Sequence, residues 1–303
     1  MYLELVCSII FIFIVVFKIK LPLIPFDNIN KIQSINKNKI QLSLFLIPLP
    51  LIISNHNFFL NFIILISCII GFLDDKYGLS VKVRFLTISL AISIYTIFNN
   101  HYINFDYLFL ENIYLLSILS VIFILGFIHT INMVDGKNGF ALLIFLNIFV
   151  YHMFKSNFLS NPNLFDLIFF CILLTMLIIN LANISYLGNA GVILLTMYFS
   201  YFLIDKYNSG YISEKEIYCL LSLPFLDGLR VTIARIYRDS NPFKADKNHL
   251  HHLINNWNLG IFYIIISLFV MSITAFKVNL SFHFIALISL INYLFLYFIF
   301  KKN

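Results

Sequence analysis

Four short polar stretches interrupt an otherwise apolar chain, and each carries side chains able to do chemistry. The first runs from Gly71 to Arg84 and holds two adjacent carboxylates, Asp74 and Asp75. Carboxylates side by side at a helix end repel and are desolvated together, so they persist best when a cation or a proton offsets that cost. A solvated loop balanced by Lys76 and Lys82 is the plainer alternative. The second stretch, Asn132-Met133-Val134-Asp135-Gly136-Lys137-Asn138-Gly139, sets an amide and a carboxylate three residues apart, ahead of two glycines. Glycine there lets backbone approach a ligand closely, although an ordinary Asp-Gly turn has the same composition. The third, Leu187-Gly188-Asn189-Ala190-Gly191, flanks an amide with glycines that equally permit close helix packing. The fourth begins at Pro224-Phe225-Leu226-Asp227-Gly228-Leu229-Arg230, continues through Arg235 and Arg238, and closes with His249, His251 and His252. Asp227 and Arg230, three apart on a helix, can pair and so make charge near a membrane tolerable. Histidines this close suit zinc or iron, or, beside arginines, a phosphate pocket. A basic loop facing anionic lipid is the third option. No cysteine or carboxylate triad accompanies them, which favours the anion. Taken together, the four stretches form an inventory suited to a divalent cation holding a diphosphate, with Mg²⁺ the natural partner of hard oxygen ligands.

The elements that must position these groups follow from composition. Of 303 residues, 61% are hydrophobic and 11% charged. A soluble domain carries about 25% charged residues, so too little polar surface exists here to cover a water-soluble globule. A cytosolic enzyme, a disulfide scaffold and a disordered chain are excluded. Breaking the chain at polar clusters predicts eleven helical spans, near 3–17, 40–54, 57–73, 83–98, 113–130, 139–154, 164–181, 190–204, 216–235, 259–275 and 281–300. The runs are continuous and do not alternate, so helices are expected over strands. The second and third are split only by Ser54-Asn55-His56-Asn57, which makes ten spans the alternative. The expected fold is all-α, a polytopic membrane protein of about 10–11 transmembrane helices, with 1–303 as a single integral membrane domain.

Charge gives the orientation. With the N-terminus outside, loops after odd-numbered spans and the C-terminus hold sixteen of the twenty Lys and Arg residues; Lys155, Lys206, Lys215 and Lys277 remain opposite. That asymmetry puts all four polar stretches on the cytoplasmic face. The net charge of +6 is accounted for in the same way, without nucleic acid as a partner. Cys7, Cys68, Cys171 and Cys219 lie far apart in apolar stretches and read as packing residues. The first segment opens without a basic start or a cleavage pattern and is expected to be a retained anchor. No repeat of 20–50 residues is evident.

The combination resembles the polyprenyl-phosphate N-acetylhexosamine-1-phosphate transferases, glycosyltransferase family 4. The family's aspartate-rich motif is similar to Asp74-Asp75 with Leu79, Lys82 and Arg84. Its Asn-x-x-Asp-Gly motif matches Asn132 to Gly136, its Leu-Pro-x-x-Asp helix resembles Leu223 to Asp227, and its His-x-His-His loop matches His249, His251 and His252. The motifs come in the family's order over residues 70–255. The resemblance implies transfer of a sugar-1-phosphate from a UDP-sugar to a polyprenyl phosphate such as undecaprenyl phosphate, with release of UMP. It further implies Mg²⁺ held by Asn132 and Asn189, and Asp74, Asp75 and Asp135 as catalytic residues. Arg230, His249, His251, His252, Gly136 and Lys82 would bind substrate. The His-x-His-His spacing belongs to the branch serving O-antigen, teichoic-acid and related surface glycans. That implies a UDP-N-acetylhexosamine donor such as UDP-N-acetylglucosamine, and a place in the bacterial inner membrane. A homodimer stays open.

Two departures stand out. Where the family's third motif carries an aspartate, this chain has Asn189, a neutral and weaker ligand. A Gly-Gly pair usual at the second span is replaced by Ser43-Leu44-Phe45. A member that binds lipid phosphate without turnover is therefore the alternative to an active transferase. A transporter fits less well, because the ionisable residues crowd at one face instead of lining a pathway.

Overall fold

Continuous apolar runs leave each backbone N–H and C=O to be satisfied within its own segment, which selects helices. The computed structural model, which describes residues 2–19, 21–26, 40–54, 58–104, 112–135, 139–238, 248–254, 256–276 and 280–302, is helical accordingly. Its α-helices are α1 (Tyr2–Val16), α2 (Leu49–Ser54), α3 (Phe58–Tyr77), α4 (Val81–Phe98), α5 (Ile113–Val134) and α6 (Phe140–Lys155). They continue with α7 (Leu164–Leu181), α8 (Gly188–Asn208), α9 (Glu214–Tyr237), α10 (Trp257–Phe276) and α11 (Phe282–Lys302). Among the described residues there is no β-strand; Phe26 and Gln41 form an isolated bridge.

Eight of these helices are long and apolar enough to cross a membrane, and the chain is a multi-pass membrane protein. The three shorter apolar stretches are α1, the segment Leu44–Ser54 and α6. Residues 40–54, expected as one span, instead comprise a 3₁₀ turn at Leu44–Leu46 and the six-residue α2. Pro48 and Pro50 are the reason: proline has no N–H to give and its ring clashes with the preceding turn.

The residues cluster into two compact units. The first gathers α1 to α4, α5 as far as His129, and Cys171–Tyr211 with α8; the second gathers Thr130–Phe170 and the chain from Ile212 onward.

In the first unit α3 lies along α8. Gly71 permits the approach, since a Cβ there would stand 2.8 Å from Ala190 Cα and 2.8 Å from the Asn189 carbonyl oxygen. Gly78, at φ 69°, ends α3 by returning its N–H to the Asp74 carbonyl at 2.8 Å. Ser80 then caps α4, accepting the Val83 N–H at 3.3 Å. α8 tolerates Thr196, Ser200 and Tyr201 because protein surrounds it; all three are buried. The 40–46 segment is strapped to the turn before α8. Ser43 Oγ meets Ser185 Oγ at 2.9 Å, Ser185 Oγ donates to the Gln41 carbonyl at 2.9 Å, and Leu44 N–H reaches the Tyr186 carbonyl at 3.3 Å.

In the second unit α9 contacts α6, α10 and α11. It opens with a capping box, Ser213 and Glu216 each bonding the other's backbone N–H. Glu216, 3% exposed, also takes hydrogen bonds from the Tyr151 hydroxyl and the Lys155 ammonium of α6, so the cap doubles as an interhelix tie. Gly228 lets α9 lie on the end of α5; a Cβ would sit 3.4 Å from Thr130 Cγ2 and 3.7 Å from Met133 Sδ. Aromatic contacts fill the rest, with Phe149 on Phe169 at 5.1 Å and Tyr151 on Phe276 at 4.6 Å.

Candidate functional site

The first unit carries one cluster, built where α3 ends and α8 begins. α3 runs to Tyr77, so Asp74 and Asp75 belong to its last turns instead of a loop. Asp75 caps α8: its Oδ1 accepts the Asn189 N–H at 3.0 Å and its Oδ2 the Ala190 N–H at 3.1 Å. These N–H groups have no partner within their own helix, and a carboxylate there also meets the positive end of the helix dipole. Gly188, at φ 66°, makes room; a Cβ would lie 2.7 Å from Asp75 Oδ2. Asp74 is 6% exposed and forms an ion pair with Arg84 from the first turn of α4. Its Oδ2 also accepts the Asn189 side-chain amide at 2.8 Å. Two donors thus compensate a nearly buried charge. Lys82 is exposed in the first turn of α4, and the cation that meets Asp74 is Arg84.

The second unit carries the other cluster, centred on Asp227. Its carboxylate is 0% exposed. Oδ1 accepts from Arg230 Nη2 at 2.9 Å and from the Tyr293 hydroxyl at 2.9 Å. Oδ2 lies 3.0 Å from His249 Nδ1, and the Leu250 N–H reaches both oxygens at 3.1 and 3.2 Å. Arg230 further donates to the Tyr293 oxygen and the Asn248 carbonyl, and its guanidinium lies 4.8 Å from the centre of the Tyr297 ring. The three histidines lean on one another. His249 and His251 stack at 5.9 Å and 7°, and the His251 and His252 rings are 4.0 Å apart. His249 and His251 are buried, whereas His252 is half-buried.

Asn132 sits half-buried in the last turn of α5, and Asp135 follows directly, its N–H bonded to the Ile131 carbonyl at 3.0 Å. Gly139, at φ 89°, caps α6. Gly136 lies outside the described residues. Within the first unit, then, Asp74, Asp75 and Asn189 come together. Within the second, Arg230 and the histidines come together on Asp227. Arg235, part of the fourth polar stretch, lies 3.3 Å from His249 through Nη2; the two contributors that were not expected are the α11 tyrosines Tyr293 and Tyr297.

The family that the sequence resembles is generally metal-dependent. The oxygen donors of the first unit are of the right type for a hard cation, but their arrangement does not fit one. The Asn189 amide turns an N–H toward Asp74, Arg84 occupies the same carboxylate, and both Asp75 oxygens hold backbone N–H groups. Among the described residues, no group of three or more His, Cys, Asp and Glu side chains is placed to hold a metal ion.

A multi-pass helical protein with carboxylate and His/Arg clusters built onto its helix ends is the class that fold and sites define. The sequence profile of glycosyl transferase family 4 matches residues 57–207, and the chain belongs to that family. It is similar to the undecaprenyl-phosphate alpha-N-acetylglucosaminyl 1-phosphate transferases of Escherichia coli O157:H7, Escherichia coli strain K12 and Shigella flexneri. Each is 25% identical over 202 residues, covering 61% of this chain and 54% of the relative. The chain spans about half the length of the curated relatives it matches.

Proposed function

We propose that this protein transfers N-acetylhexosamine-1-phosphate from a UDP-sugar to a polyprenyl phosphate, releasing UMP, on the cytoplasmic face of a bacterial inner membrane. A phosphate oxygen of the lipid attacks the sugar-bearing phosphorus. The bond from that phosphorus to the UMP oxygen breaks, and UMP leaves with the electron pair. Charge spreads over the equatorial oxygens as the bond breaks, so positioned cations and donors supply most of the stabilisation.

The observation that carries this reading is the gathering of Arg230 and the His249–His252 segment around buried Asp227. Arg230 pairs with Asp227 and Arg235 stands against His249, so two guanidiniums accompany one carboxylate, which leaves the cluster net positive and suited to phosphate oxygens. Asp135 would position the nucleotide end. Asp74 and Asp75 would order the polar ends of α3 and α8 for the lipid phosphate. Sidedness rests on the sixteen of twenty basic residues expected on one face.

The test is the full chain purified in detergent with undecaprenyl phosphate, magnesium chloride and a panel of UDP-N-acetylhexosamines. The expected products, in equal amounts, are UMP and a lipid-linked pyrophosphoryl sugar. No product with any donor would refute the proposal. The Asn189–Asp74 hydrogen bond favours a second reading, a lipid-phosphate binder without turnover; saturable binding of undecaprenyl phosphate with no UMP release would select it.

A further inference from the structure

We propose that His249 is a positioning residue, locked in a single neutral tautomer between Asp227 and Arg235, and that it presents His252 as the histidine that meets substrate phosphate. The inference rests on the transferase reading and assigns roles within its His segment. The resemblance treats His249, His251 and His252 as equivalent substrate ligands, and the geometry separates them.

A guanidinium has five N–H donors and no acceptor. Arg235 Nη2 lies 3.3 Å from His249 Nε2, so that nitrogen must offer its lone pair. The ring proton is therefore on Nδ1, where it is donated to Asp227 Oδ2 at 3.0 Å. Both nitrogens are committed within the protein, and the ring is 2% exposed. Protonating Nε2 would set N–H against N–H beside the fixed positive charge of Arg235. Among the described residues, the charged and titratable groups around this ring and its Asp227 partner are Arg230 and Arg235 from α9, Tyr293 from α11 and His251 from its own segment. Tyr293 completes the lock from the side, donating to Asp227 while accepting from Arg230.

What the lock holds is the segment. Asp227 binds the Leu250 N–H as well as His249, so one buried carboxylate fixes two consecutive residues. From there the order passes by ring contact, His249 on His251 and His251 on His252. His252 is the member of the three with appreciable exposure.

Two measurements on the full chain test this. In lipid nanodiscs with ¹⁵N-labelled histidine, the His249 signals are those that vanish in His249→Gln. They are expected to show a protonated Nδ1 and a bare Nε2 in the buffer of the transferase assay. In the transferase assay, His249→Ala is expected to lose about 100-fold in kcat, the scale of a misplaced group. His249→Asn, whose amide N–H can replace the Nδ1 donor but which cannot act as a general base, is expected to recover at least about a tenth of wild-type activity. His252→Gln is expected to fall about 100-fold. A His249 ring that carries a proton on Nε2 overturns the proposal, and so does an Asn variant as inactive as the Ala variant. If the wild type makes no lipid-linked product, the proposed function fails while the ring measurement still decides the tautomer, so the two failures are distinguishable.

Discussion

Asn189→Asp would turn a hydrogen bond into a repulsion. The Asn189 amide donates to Asp74 Oδ2 at 2.8 Å. The substitution removes a hydrogen bond to a charged group, worth about 1.5–3 kcal/mol. It also sets a second carboxylate against the first, with charge centres about 4 Å apart; at an effective dielectric of about 20 that costs about 4 kcal/mol. Arg84, shared between both carboxylates, offsets part of the sum, so a net loss of about 3–5 kcal/mol is expected in EDTA at a pH high enough to keep both ionised. That is a large share of the about 5–15 kcal/mol that ordinarily holds a fold together. A divalent cation is then the natural compensation. At a concentration about 100 times its dissociation constant it would return about 2.7 kcal/mol. The assay is thermal unfolding of detergent-solubilised wild type and variant, in EDTA and in magnesium chloride. The variant should unfold roughly 5–15 °C below wild type in EDTA and recover more than wild type on adding magnesium. A variant as stable as wild type in EDTA would refute the reasoning, because it would mean that Asn189 and Asp74 are not in contact.

The other predictions fall in both units. Gly188→Ala puts a Cβ on a residue at φ 66° and 2.7 Å from Asp75 Oδ2; left-handed strain and a damaged α8 cap should cost about 2–4 kcal/mol, read as a lower unfolding temperature. Glu216→Ala leaves Tyr151 and Lys155 without their shared acceptor in a buried setting and should cost about 3–5 kcal/mol. Glu216→Gln should recover part of that by the same measurement. Asp227→Asn must aim an amide N–H either at the His249 donor or at the Arg230 and Tyr293 donors. It should therefore lower stability by about 1–3 kcal/mol for the unpaired donor and depress lipid-linked product formation about 100-fold.

The helices were legible because lipid removes the alternatives: an apolar run of span length has no other way to satisfy its backbone. Their ends were harder to read, and the chemistry sits at the ends. A span ending near residue 73 sets Asp74 and Asp75 at the helix end and leaves a solvated loop open as an alternative; the helix continues to Tyr77, and one of them caps α8. Similarly, α8 begins at Gly188 rather than near 190, which turns the Asn189 and Ala190 N–H groups into open donors for Asp75. The break in 40–54 was written in Pro48 and Pro50, and mean apolarity masked it.

Tyr293 was invisible for a different reason. A tyrosine among Phe and Leu on an apolar helix reads as packing, and its partner Asp227 is 66 residues away. A stripe nonetheless existed. Ser289, Tyr293 and Tyr297 recur every four residues, with Asn292 beside them, and four-residue spacing keeps side chains on one helix face. That stripe meets protein: Ser289 bonds Tyr218 at 2.9 Å, Asn292 bonds Ser267 at 2.8 Å, Tyr293 bonds Asp227, and Tyr297 lies under Arg230. In a membrane helix a polar stripe can face lipid only at a cost, so its existence requires a polar counterpart within the protein. Asp227 imposes the matching requirement, since a carboxylate with no exposed surface needs several donors, and the four-residue run from Asp227 to Arg230 supplies one side chain of them. The stripe on α11 is readable in the sequence, whereas the demand on α9 follows from the burial of Asp227, and meeting that demand is what brings Tyr293 and Tyr297 to the cluster.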